Sequence, residues 1–145
     1  MVAVRNKFSL ALCALSLLVA GQSVWAHHSP SAEFDMDHKF TLTGVLAGVD
    51  WINPHVQIHV DAKDAAGKVA NWSFESNPPL WFKRAGVLRQ DIAKAVGQTV
   101  TVEGLHARNG SNYGYFLKIT FADGTTLEWN SLLDQAFGGK QTGSR

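Results

Sequence analysis

His27, His28, His55 and Glu75 carry the sharpest chemical possibility in this chain. They are nitrogen and oxygen donors. Copper(II) prefers such donors in tetragonal geometry and outranks other divalent ions at them. Zinc is the second choice. If an export signal ends at Ala26, His27 becomes the first residue and offers an α-amine and an imidazole together. The α-amine titrates near ~7.7–8, so proton competition at neutral pH is mild. Trp51 and Asn53 stand beside His55 as candidate walls of a ligand groove. The ordinary reading of each is also open. Histidines at a chain start are often solvated. His55 can simply pair with Glu75, Trp51 can be a core anchor, and Asn53 can cap a turn.

The spacing excludes one tempting site. His55 and His59 read as the same face of a strand, four residues apart. At about 3.3 Å per residue they stand roughly 13 Å apart, too far to share one ion. A His-x-x-x-His pair converges only on a helix.

The start of the chain supports export. Arg5 and Lys7 precede an apolar run from Phe8 to Ala20, and Val24-Trp25-Ala26 presents a cleavage site. Residues 1–26 therefore read as a cleaved secretory signal. The run of 13 residues is shorter than the ~20 that span a bilayer, so no stable membrane anchor is expected. Cys13, the single cysteine, leaves with the signal. A mature chain without thiols excludes thiolate metal sites, cysteine nucleophiles and disulfides. The expected destination is the periplasm or the medium.

The full chain has 145 residues, of which 46% are hydrophobic and 17% charged. That composition excludes a disordered chain. Removing the signal leaves 11 basic and 12 acidic residues. A near-neutral surface argues against a nucleic-acid partner. The remaining length fits one β domain over 27–137 and a flexible Gly-rich tail over 138–145.

Short alternating segments must position the candidate residues. Phe40–Val49 alternates and shifts phase near Gly44, as in a strand with a bulge or bend. After the Asn53-Pro54 turn, Val56, Ile58 and Val60 alternate with His55, Gln57 and His59. Trp72 and Phe74 mark a third strand. Leu80–Ala85 and Val87–Val96 read as short helices ended by Gly86 and Gly97. Thr99–Val102, Tyr115–Phe121 and Thr125–Trp129 supply the remaining strands.

Five to six strands with a helical insertion between the third and fourth fit a small closed or partly open barrel. The expected form is oligonucleotide/oligosaccharide-binding-like, with a small β-sandwich as the alternative. Facing core residues fix even-numbered pairing between the second and third strands. A five-residue loop over Lys63–Gly67 pairs Ile58 with Trp72 and puts His55 opposite Glu75. A shift of two would put Gln57 there instead.

Several of these elements occur together in a known order. His27-His28-Ser29, Phe34-Asp35, Thr43–Val45, Trp51-x-Asn53-Pro54-His55, Trp72-x-Phe74-Glu75, Gly86, Thr99–Gly104 and Asp123-Gly124 follow one another. The chain resembles the exported bacterial family known as domain of unknown function 6152, from about His27 to Trp129. The resemblance implies an exported, mainly β domain and no particular reaction.

Enzyme chemistry is weakly marked. Ser29, Ser31, Ser73, Ser76 and Ser111 lack a nucleophile-elbow setting. There is no evident glycosidase carboxylate pair and no Gly-rich phosphate loop. The expectation is a small exported binding protein, with a divalent metal, copper first, as its ligand. The alternative is a metal-free protein or glycan interaction module using the barrel face or the loop from Arg108 to Tyr115.

Overall fold

The computed structural model describes residues 30–137. The signal, His27, His28 and the tail lie outside the described residues. A short helix α1 (Pro30–Glu33) leads into strand β1 (Phe34–Asp50). β2 (Gln57–Lys63) and β3 (Val69–Glu75) follow as a hairpin. Two short helices, α2 (Pro79–Arg84) and α3 (Arg89–Ala93), precede β4 (Thr99–Ala107). β5 (Tyr113–Thr120), β6 (Thr126–Glu128) and helix α4 (Trp129–Phe137) complete the order.

The sheet runs β3-β2-β1-β4-β5-β6. It closes because β3 also pairs with β5 in parallel, Ser73 with Tyr113 and Glu75 with Tyr115. The result is a five-stranded mixed barrel with β6 as an extra strand. The helical insertion lies between β3 and β4, as the strand pattern predicts.

β1 is long enough to serve two neighbours. Its middle pairs with β4 and its end with β2. Leu46, Val49, Ile58, Val60, Phe74, Val102, Phe116 and Ile119 point inward and are buried. Phe82 of α2 and Ile92 of α3 join this core from the insertion. The barrel interior is crowded at its closing seam. A Cβ at Gly104 or Gly114 would come within about 3.0–3.1 Å of the Phe74 ring.

Two local expectations differ from the structure. The register of β1 shifts between Leu46 and Gly48 against β2 and between Phe34 and Lys39 against β4, rather than at Gly44. Gly44 serves close packing instead, since a Cβ there would lie 2.4 Å from the Asp61 carbonyl oxygen. The β2–β3 register pairs Ile58 with Phe74 and Gln57 with Glu75, two residues away from the expected pairing. The hairpin loop is the cause. Asp64 Oδ1 accepts the N–H groups of Ala66 and Lys68, each at 2.9 Å. That clasp makes Lys63 and Val69 the last pair and shifts the loop by one residue. The core faces are kept, because a shift of two preserves parity.

A second, smaller core lies outside the barrel. Phe34, Leu105 and Ala107 are buried there, with Tyr113, Tyr115 and Leu117 packed against them. The N–H of Arg108 donates to the Glu33 carbonyl at 2.9 Å, and its Nε donates to the Ser31 carbonyl at 3.2 Å. The segment entering the fold is thus fastened beside Tyr113.

Candidate functional site

The loop between β1 and β2 delivers His55. Trp51 anchors its start, packing its ring 5.1 Å from that of Phe82. Asn53 is exposed at the turn, and the Asn53–Pro54 peptide is cis. The ladder then begins before β2 proper. The N–H of Val56 donates to Asn77 and that of Ser76 donates to Val56, each at 2.9 Å. His55 therefore leaves the loop on the outer face, the face of Gln57 and Glu75.

Sequence reasoning expects His55 to meet Glu75 as its cross-strand partner. The two do meet, although Glu75 opposes Gln57. His55 Nδ1 lies 2.5 Å from Glu75 Oε1. The other carboxylate oxygen, Oε2, accepts the hydroxyl of Tyr113. Parallel pairing of β3 with β5 brings that tyrosine to the site. The sequence alone gives no sign of it, because the contact spans 38 positions and depends on barrel closure.

Glu75 has 17% of its side chain exposed, while His55 keeps 42%. The carboxylate is an acceptor at both oxygens, so His55 carries its proton on Nδ1. In the neutral ring Nε2 then carries the lone pair, and no group among the described residues bonds it. Burial holds the Tyr113 hydroxyl well above the ordinary tyrosine range, reinforced by its bond to Glu75, the charge of Glu75 and that of Glu33. Burial also pushes Tyr115 up to about 12, with the Glu75 charge adding to it. Both phenols stay neutral donors at physiological pH.

Aromatic rings extend the site. Tyr115 meets Trp129 edge-on at 5.6 Å, and Trp129 stacks on Trp81 at 6.1 Å. These contacts tie α4 and α2 to the barrel beside Glu75. Immediately after Glu75, Ser76 Oγ and Asn77 Nδ2 are buried and have no hydrogen-bond partner among the described residues.

The remaining histidines are placed elsewhere. His38 pairs with Asp35 at 3.0 Å on an exposed stretch of β1. His106 stacks on Phe40 at 3.7 Å and meets Trp72 edge-on. His59 lies on the outer face with Ser73 and Asp50. His27 and His28 lie outside the described residues. Among the described residues, no group of three or more His, Cys, Asp or Glu side chains is gathered to hold a metal ion.

The family model for a family of unknown function, DUF6152, matches residues 14–118. The chain belongs to this family. The match runs from residue 14 into β5 and so includes His27, His28, His55, Glu75 and Tyr113. The family's description assigns no activity. No curated protein and no solved structure matches the chain.

Proposed function

We propose that this is an exported binding protein that takes a divalent metal ion on His55, copper(II) first and zinc second. The observation that carries the reading is the 2.5 Å contact between His55 Nδ1 and Glu75. A ligating histidine commonly donates its other ring N–H to a carboxylate, which fixes the tautomer and raises the basicity of the ligating nitrogen. His55 has that partner, and nearly half of its side chain faces solvent.

Glu75 has both oxygens committed, one to His55 and one to Tyr113. Its part in this reading is to orient His55, and it becomes a ligand only if Tyr113 lets go. Further nitrogen donors come from His27, His28 and the α-amine released when residues 1–26 are removed. The fastening of Ser31 and Glu33 to Arg108, on the Tyr113 side of the barrel, supports their recruitment. A protein with this site would buffer or deliver copper outside the cytoplasm.

The test is a copper(II) titration of mature protein with an authentic His27 start. It is compared with a chain extended by Gly-Ser at that end and with His55→Ala. Tight one-to-one binding weakened by both changes supports the reading. Equal, weak binding in all three overturns it and favours a metal-free interaction module.

A further inference from the structure

A second chain of side chains lies on the same outer face, separate from His55. His59 opposes Ser73 across β2 and β3. Its Nδ1 is 2.9 Å from Ser73 Oγ, and its Nε2 is 3.0 Å from Asp50 Oδ2. Asp50 is not the residue opposite His59. That place belongs to Gly48, and a Cβ built on Gly48 meets nothing within 4 Å. The imidazole leans across this gap to the next outward residue.

The bulge in β1 creates the arrangement. Leu46 pairs with Val60, but Gly48 pairs with His59, so one extra residue is inserted. Without it, Asp50 would oppose Val56 and face the core. With it, Val49 turns inward and Asp50 turns out beside His59. Bulges commonly re-aim side chains in this way next to active sites.

The bonding fixes the proton. An ionised Asp50 only accepts, so Nε2 carries the hydrogen and Nδ1 presents its lone pair to the Ser73 hydroxyl. Carboxylate, imidazole and hydroxyl then follow the order of a Ser-His-Asp triad, with the two ring nitrogens exchanged. Ser73 is half-buried, and beside it His59 is 22% exposed and Asp50 59%.

We propose that Ser73 is a nucleophile for acyl transfer from small activated esters. His59 acts as its base, and Asp50 is the positioning residue. Ser73 Oγ forms a bond to the acyl carbon, and its proton passes to His59 Nδ1. The bond from that carbon to the leaving group breaks, and the departing oxygen takes the proton from His59. Water then attacks the acyl carbon, gives its proton to His59, and releases the acid as Ser73 recovers a proton. The Ser73 N–H is committed to the Asn112 carbonyl at 3.1 Å. That amide is therefore not free to serve as an oxyanion donor. Gln57, opposite Asp50 and Glu75 on the same outer face as Ser73, is the side-chain amide assigned as donor.

A fluorophosphonate probe tests this without a known substrate. Oγ forms a bond to phosphorus, the P–F bond breaks, fluoride leaves, and the serine proton passes through His59 to solvent. The full chain after signal removal is treated in the presence of a chelator, and adducts are located by peptide mass spectrometry. The expected result is one adduct, on Ser73, absent in Ser73→Ala. Labelling falls by at least about tenfold in His59→Ala and in His59→Gln, as for a lost general base. Thermal melts identify which of those two variants remains folded. Asp50→Ala slows labelling and Asp50→Glu restores it, whereas His38→Ala labels like the parent. No adduct, an adduct on another hydroxyl, or undiminished labelling in a folded His59 variant overturns the proposal.

Discussion

Glu75 is the cross-strand partner of Gln57, yet its Oε1 lies 2.5 Å from Nδ1 of His55, the residue two positions earlier on the same face. The contact is diagonal, and Tyr113 holds the carboxylate from its other side. Glu75→Gln should therefore disturb His55 without unfolding the barrel. An amide can present its NH2 to Nδ1 and reverse the tautomer. We expect metal affinity to drop about 10–100-fold, the range for lost orienting partners. Nitrogen-15 chemical shifts of His55 should show the proton moving from Nδ1 to Nε2. An unchanged tautomer in the variant would mean that Glu75 does not orient His55.

Alkaline titration gives a second check. The chain has two tyrosines, Tyr113 and Tyr115, both held above the usual value of 10.0. Absorbance at 295 nm should stay flat through pH 10 in the folded protein and rise only near the pH at which it unfolds. Between pH 10 and about 12 the unfolded chain binds fewer protons than the folded one, so stability falls as pH rises. Below pH 10 these groups contribute no slope. Denaturant midpoints should be lower at pH 11 than at pH 9, and Tyr115→Phe should flatten part of that drop. A phenol titrating near 10 in folded protein contradicts the burial of both rings.

The closing seam should be intolerant of added volume. Gly104→Ala would place a methyl 2.8 Å from the Tyr115 carbonyl oxygen and 3.0 Å from the Phe74 ring, and Gly114→Ala one at 3.1 Å from that ring. Each should destabilise the protein by about 1–3 kcal/mol, the usual result of overpacking. Pairing Gly114→Ala with Phe74→Leu should recover part of the loss, because the two sites share one space, and should rescue Gly104→Ala less, because its methyl also meets backbone. Strict additivity in urea melts would show that the clash is relieved elsewhere.

Ser76 offers the opposite case. Its hydroxyl is buried with no partner among the described residues, directly after Glu75. A buried polar group left unpaired costs about 1–3 kcal/mol. Ser76→Ala should leave stability unchanged or raise it by about 1 kcal/mol, apart from a small loss of packing. A drop of more than about 1 kcal/mol in calorimetry would mean that the hydroxyl is bonded in solution.

Much of the barrel was legible because burial on one face leaves a period-2 signal. Val56, Ile58 and Val60 alternate with polar residues, and all three are buried. The same alternation placed His55, Gln57, His59, Ser73 and Glu75 on the outer face. The register was harder to read, because parity permits shifts of two. The loop decided it, through a side chain, Asp64, clasping Ala66 and Lys68. That shift set His59 opposite Ser73, a pairing the expected register does not produce.

The sequence by itself determined the class of fold, the position of the helical insertion and the sides of the strands. These follow from local hydrophobic period and turn residues, which need no knowledge of distant partners. The strand faces already bring His55 toward Glu75, but tertiary structure decided the other outward contacts. Parallel closure of β3 on β5 brought Tyr113 to Glu75. One extra residue in β1 turned Asp50 toward His59. Each depends on pairing between segments far apart in the chain, where a single inserted residue reverses every face that follows it.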